Sequence, residues 1–249
     1  MPAKSSITPT PVEGLARPLY SPVKRRSFFL YAGATAGATA LMLAGCGKDD
    51  ENKPDPSSGG IVDVGAGDTG VFNYAYALEQ LEAAFYAQVL TGLYFTGLSA
   101  TSAERQIFTD IALHEKIHAD FFKTALGPGA IKALTPDFSK VDFTSRDSVL
   151  ATAKAFEDLG VAAYNGVARF ITDAKYLIVA GKIVSVEARH AALIRDMITP
   201  NSFVGSDVVD FSLTSATARQ EKSKLPVEVL ATANMFLMEG SKVSATKLV

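Results

Sequence analysis

His114-Glu-Lys-Ile-His118 and Val186-Glu-Ala-Arg-His190 each contain a Glu-x-x-His pair, Glu115 with His118 and Glu187 with His190. Residues three apart share one face of an α-helix, so each pair sets a carboxylate beside an imidazole. Each pair also has a companion acid upstream. Glu79 lies in the apolar run Tyr76-Ala-Leu-Glu-Gln-Leu-Glu-Ala-Ala-Phe-Tyr86, and Glu157 lies in Ala155-Phe-Glu-Asp-Leu-Gly-Val-Ala-Ala-Tyr164. In both runs a tyrosine, Tyr86 or Tyr164, follows the acid by two helical turns on nearly the same face. The order Glu, Glu-x-x-His, Glu, Glu-x-x-His is the ligand pattern of a dinuclear carboxylate site inside a four-helix bundle.

The flanking residues supply the four helices. Phe72, Ala75, Leu78, Leu81, Phe85 and Val89 follow helical spacing and predict a helix over about 70–97, with Asp68 or Thr69 able to cap it. Thr101-Ser-Ala-Glu104 has the capping-box form and opens a second helix through Ile107, Ile111, Glu115, His118 and Phe122, stopping near Gly127-Pro128. Thr144-Ser-Arg-Asp147 is a further cap pattern. It leads into a third helix over about 146–172, and a fourth over about 175–198 ends before Pro200. The first and second helices, like the third and fourth, are joined by short turns, whereas residues 127–144 form a long connection. At ~1.5 Å per residue, Glu79 and Glu115 stand within ~5 Å of one level. Glu157 and Glu187 are level in the second hairpin, so all four acids reach mid-bundle height.

Composition narrows what the protein does. A chain of 249 residues supports one good core plus a tail. A net charge of -2 and a pI near 5.9 argue against nucleic acid as a partner. Cys46 is the single cysteine, so no disulfide forms within the chain. Residues 1–46 are addressing information. Lys24-Arg-Arg-Ser-Phe-Phe-Leu30 resembles a twin-arginine export signal, and Leu43-Ala-Gly-Cys46 resembles a lipobox in which Cys46 becomes the lipidated N-terminus. Gly47-Lys-Asp-Asp-Glu51 resembles the signal that sends some bacterial lipoproteins to the cell surface. The expected layout is a signal over 1–46, a flexible tether over 47–68, the bundle over 69–200, and an extension over 201–249 with a short helix within Leu225–Leu237. Nothing in the sequence decides whether that extension covers the bundle, pairs with another subunit or caps an apolar end.

With these residues in view, the chain resembles the ferritin-like superfamily. It looks closest to bacterial ferritin-like domain proteins related to plant desiccation-associated proteins. The motifs that carry the resemblance are Leu78-Glu-Gln-Leu-Glu-Ala-Ala-Phe-Tyr86, His114-Glu-Lys-Ile-His118, Ala163-Tyr-Asn-Gly166 and Val186-Glu-Ala-Arg-His-Ala-Ala192. It implies an all-α, ferritin-like four-helix bundle with one long crossover and a short C-terminal helical extension. By position, Glu115 and Glu187 would bridge two metal ions, with Glu79 and Glu157 as terminal carboxylates and one nitrogen each from His118 and His190. These six would be the catalytic set. Such ligands suit two iron ions, with manganese or a mixed Fe/Mn pair as alternatives. Four carboxylates balance two divalent ions.

Two residues compete in this reading. Glu82 is a rival to Glu79 as the first-helix ligand. Glu79 is preferred because only it has a tyrosine two turns on, which leaves Glu82 as a rim or surface acid. His114 takes the place one turn before His118 and, with Tyr86 and Tyr164, is a candidate to support the ligands from behind.

The implied function is a lipid-anchored protein of the bacterial envelope, exported by the twin-arginine route and facing the outer membrane or cell surface. It would oxidise Fe(II) or reduce oxygen or peroxide, as a ferroxidase- or peroxidase-type di-iron oxidoreductase. The partners would be the membrane, through Cys46, and those small molecules; the oligomeric state stays open, a dimer included. One rival is a zinc hydrolase built on His114-Glu-Lys-Ile-His118, which leaves Glu187, His190 and both upstream acids unexplained. A second is a non-catalytic surface or stress-related protein whose metal site is vestigial or merely stabilising.

Overall fold

The computed structural model describes residues 60–248. The twin-arginine stretch, Cys46 and the tether as far as residue 59 lie outside the described residues. Four long helices form the body: α1 Gly67–Thr91, α2 Ala103–Leu126, α3 Arg146–Val167 and α4 Ala174–Ile198. One helical turn, Leu93–Thr96, stands between α1 and α2, and a shorter helix α5, Pro226–Ala233, lies in the C-terminal extension. The chain is thus an all-α bundle with one long crossover, from α2 to α3.

The helix ends differ from expectation for local reasons. Neither Asp68 nor Thr69 caps α1, whose N-cap is Ala66. Asp68 instead accepts hydrogen bonds from Thr172 N, Thr172 Oγ1 and Asp173 N, which ties the start of α1 to the α3–α4 turn. The backbone becomes extended at Gly92, so α1 stops at Thr91 rather than near 97. Ser102 caps α2 by accepting from Arg105 N. Glu104 therefore falls one position short of a capping box, and it pairs with Arg146 and Tyr94 instead. Ser145 caps α3, which ends at Val167 and passes into a 3₁₀ turn, Ala168–Phe170, short of the expected 172.

The outer helices α2 and α4 each bury one narrow stripe. In α2 it is Phe108, Ile111, Glu115, His118 and Phe122; in α4 it is Ile183, Glu187, His190, Ala191 and Ile194. These alternate steps of three and four are core positions, so acids and imidazoles stand where aliphatic side chains would otherwise pack. Helices α1 and α3 are buried more fully, because the crossover and the C-terminal extension cover their other side. Asn73 on α1 donates to Gly129 O and accepts from Ile131 N, and Gln80 accepts from Leu134 N, so the crossover is pinned along α1.

The extension covers the bundle. Val229, Leu230, Ala233 and Leu237 are buried in the main core, and α5 packs on α3 and α1. Gly166 makes the approach possible: a Cβ there would stand 1.7 Å from the Lys224 carbonyl oxygen. Lys224 N donates to Ala162 O at 3.0 Å at the same crossing. After α5 the chain bonds to the crossover through Asp137 and Met238, then forms β2, Val243–Ser244. Strand β2 pairs in parallel with β1, Val62–Asp63. Residues 62–64, expected at the end of a flexible tether, are therefore part of the fold, with Val62 and Val64 in its core. Among the described residues no helix is long and apolar enough to cross a membrane.

Candidate metal centre

Mid-bundle, each long helix contributes to one buried cluster: Glu79 from α1, Glu115 and His118 from α2, Glu157 from α3, and Glu187 and His190 from α4. All four carboxylates are fully buried, and the two imidazoles nearly so. The side chains fall into two groups, Glu79–Glu115–His118–Glu187 and Glu115–Glu157–Glu187–His190. Within each group one ligand atom per residue lies within 4.8 Å of the others. Glu115 and Glu187 belong to both groups.

The nitrogens that face inward are both Nδ1. His118 Nδ1 lies 3.0 Å from Glu187, 3.3 Å from Glu79 and 3.6 Å from Glu115. His190 Nδ1 lies 2.8 Å from Glu115 and 3.4 Å from Glu157. All but the 3.6 Å contact are within hydrogen-bonding distance, yet neither Nδ1 makes a hydrogen bond; nor does Glu79 Oε2, Glu157 Oε2, or either oxygen of Glu115 and Glu187. The atoms converge on shared points between them instead of on one another. Buried polar atoms without partners are costly and uncommon, and ionised carboxylates out of water cost several kcal/mol each. Cations at the shared points would satisfy all of them, so these residues fit a pair of metal ions.

The tyrosines cross the bundle. Tyr86 on α1 donates to Glu157 Oε1 on α3, and Tyr164 on α3 donates to Glu79 Oε1 on α1. Each terminal carboxylate is thus held by the opposite helix, leaving its second oxygen toward the centre. This reciprocal pairing also shows that α1 and α3 run antiparallel.

His114 sits on the exposed flank of α2, its Nδ1 2.9 Å from His190 Nε2, the two rings stacked with centroids 5.1 Å apart. It belongs to neither group of converging ligands. The zinc-hydrolase arrangement, with His114 and His118 on one ion, therefore does not form; His114 supports the imidazole of another helix.

Glu82 corrects the expectation of a rim or surface acid. Only 4% of it is exposed, and it stands beside Glu187 against Gly160 of α3. The signal was present in Glu79-x-x-Glu82, one turn apart on one face, together with a glycine at the matching place in α3. A second feature absent from the sequence reading is Arg195. Buried in α4, it binds both carboxylate oxygens of Asp158 at 2.7 Å and also pairs with Asp207, which fastens the loop after α4 to the bundle.

The protonation balance shows how strained the cluster is without cations. Burial raises Glu79 to about 7 and pushes Glu157, Glu187 and Glu82 upward, with the neighbouring carboxylates adding to the shift. Burial works against the imidazolium of His118, but Glu115, Glu187 and Glu79 outweigh it and hold that group up to about 12. His190 likewise overcomes burial through Glu115 and Glu157, reaching about 10. Glu115, between both imidazoles, is held down to about 2 despite its burial. A bound cation would reverse this balance, taking the place of the protons.

No curated protein matches the chain. A family model described as the ferritin-like domain matches residues 67–200, more than half of the chain and the whole of the four-helix body. This protein belongs to the ferritin-like domain family.

Proposed function

We propose that the protein holds a dinuclear metal centre, of iron or alternatively manganese or a mixed pair, and uses it in redox chemistry. Glu79 and His118 would serve one ion, Glu157 and His190 the other, with Glu115 and Glu187 shared. The observation that carries this reading is the sharing: two groups of converging, unpartnered atoms with two carboxylates in common. When bound, such a pair supplies electrons to oxygen or peroxide, or takes them from Fe(II). The residues of this chain bind and orient. Tyr86 and Tyr164 fix the terminal carboxylates, His114 fixes the His190 ring, and the apolar surroundings keep bulk water out.

The reading extends to location. The Lys24–Leu30 and Leu43–Cys46 motifs support export by the twin-arginine route and a lipid tether at Cys46, which would place the bundle in the bacterial envelope. The twin-arginine route carries folded proteins and suits a chain that takes up metal before export. Kinship with bacterial relatives of desiccation-associated proteins belongs to the same proposal.

The test is a count of metal on the full chain, loaded with Fe(II) without oxygen and weighed by native mass spectrometry. Two ions per chain, lost in Glu115→Ala and in Glu187→Ala, are expected. One zinc ion that survives Glu187→Ala would overturn the dinuclear reading. Metal-dependent turnover of oxygen or peroxide by the loaded protein then separates an oxidoreductase from a protein that is merely stabilised by metal.

A further inference from the structure

The six ligands and the two tyrosines of the centre match between its halves, whereas Glu82, like His114, has no counterpart. Glu79, Glu82 and Tyr86 on α1 correspond in spacing to Glu157, Gly160 and Tyr164 on α3. The helices are antiparallel, and each tyrosine reaches the opposite glutamate. The residues midway along the two runs therefore face each other at the centre of the pseudo-symmetric site: a carboxylate on one side and no side chain on the other. A Cβ at Gly160 would stand 3.2 Å from Glu82 Oε1 and 3.2 Å from Glu187 Oε2. Both oxygens thus border the place a side chain at 160 would take, and even a methyl group there would press on each and shift it by a few tenths of an ångström. Both oxygens of the shared Glu187 lack a hydrogen-bond partner. Among the described residues no group donates a hydrogen bond to Glu82, although it is almost wholly buried. A structural acid in a core is kept by a donor; the charged neighbours of this one are other acids, Glu187 foremost. Since it stands outside the two groups of already converging atoms, it would reach an ion by a turn of its own side chain. The imidazoles come from α2 and α4, so Glu82 approaches from the α1/α3 side, which no other unassigned ligand-type side chain occupies.

We propose that Glu82 is a fifth carboxylate ligand of the centre, admitted on its α1/α3 side by the missing side chain of Gly160. The proposal rests on the dinuclear reading. It makes the cluster more anionic than four carboxylates would, and it closes with protein oxygen a side that would otherwise be open to small molecules.

The experiment uses the full chain loaded anaerobically with Mn(II), in wild type, Glu82→Gln, Gly160→Ala and the double variant. Ions are counted by native mass spectrometry, affinities come from metal titration, and the spin coupling of the Mn(II) pair is read by electron paramagnetic resonance. Circular dichroism confirms that each metal-free variant folds; Gly160→Ala places a better helix former in mid-helix. Wild type should bind two ions as a coupled pair. Glu82→Gln should weaken binding by at least about tenfold, the scale of losing a supporting contact to a metal site, and should change the coupling signal. Gly160→Ala should weaken binding too, by displacing Glu82, and the double variant should be no weaker than Glu82→Gln alone. Two ions bound by Glu82→Gln with wild-type affinity and an unchanged signal would overturn the fifth ligand while leaving the dinuclear centre intact. A wild type that binds no pair would remove both.

Discussion

Nδ1 of His114 lies 2.9 Å from Nε2 of His190, across the contact between α2 and α4. The direction of that bond sets what His190 can do. If Nε2 carries the proton and donates to His114, the lone pair of His190 Nδ1 is free to face Glu115 and Glu157, where a cation would sit. Burial and the neighbouring His190 lower the His114 pKa, which keeps it a neutral acceptor. His114→Ala should therefore weaken metal binding by about 10–100-fold while two ions still bind at saturation. His190→Ala should lose an ion outright. Metal titration followed by mass spectrometry separates these outcomes, and loss of an ion in His114→Ala would make it a ligand after all.

Tyr86 and Tyr164 act as a pair of cross-braces. Replacing either by Phe leaves a buried carboxylate oxygen without its donor, which costs about 1–3 kcal/mol. Tyr86→Phe should weaken the position served by Glu157, and Tyr164→Phe the one served by Glu79. The expected result is a lower melting temperature and a reduced affinity for one of the two ions, not both. Equal weakening of both ions would show that the tyrosines act on the bundle as a whole.

Much of this centre was legible because its ligands are tied to helix geometry. The two Glu-x-x-His pairs and the upstream acids fix height and face through spacing alone, and the structure brings all six side chains to one place. Contacts between helices were harder to see. Nothing in the spacing of His114 reveals that it serves His190 on another helix instead of His118 on its own. Glu82 looked like a surface acid because its burial depends on Gly160, an absence of side chain on a helix distant in sequence. The capping roles of Asp68 and Glu104 failed for a related reason: both side chains found better partners outside their own helix, in Thr172 and Arg146. The course of the extension was undetermined because it rests on contacts distant in sequence, among them the close backbone approach of Lys224 to Gly166 and the pairing of Val243–Ser244 with Val62–Asp63.

The metal-free protein should lose stability as pH rises. Glu79, Glu82, Glu157 and Glu187 are raised above the ordinary carboxylate value, so the folded state binds more protons than the unfolded one once pH passes that value. His118 and His190, raised to about 12 and about 10, add the same sign above the ordinary imidazole value. Their contribution is complete at low pH and disappears as pH climbs through the folded values. Glu115, lowered to about 2, acts oppositely, but only below the ordinary carboxylate value. Melting temperature measured in chelator should thus fall from about pH 5 to pH 8, a span above the ordinary carboxylate value and across the ordinary imidazole value. Added Fe(II) or Mn(II) should reverse the trend, because ions bind better as protons leave. A melting temperature that is flat with pH in chelator would mean that the cluster holds no extra protons.

Arg195 offers a test of which parts of the molecule serve the centre and which serve the shell. Its guanidinium is buried and grips Asp158 with two bonds, while Asp207 on the loop after α4 closes over it and also meets Lys154. Asp158 is the neighbour of Glu157 but points away from the cluster, toward that loop. Arg195→Met would keep much of the volume and leave Asp158 with only the distant Lys154, 3.9 Å away, as a cationic partner. Losing one partner of a buried pair costs about 3–5 kcal/mol, and the half-exposed Asp207 places this case near the lower end. The variant should melt earlier and be cut faster by protease within residues 201–225, while still binding two ions. If it instead lost metal at an unchanged melting temperature, Arg195 would belong to the support of the centre through Asp158 and Glu157, not to the anchoring of the loop.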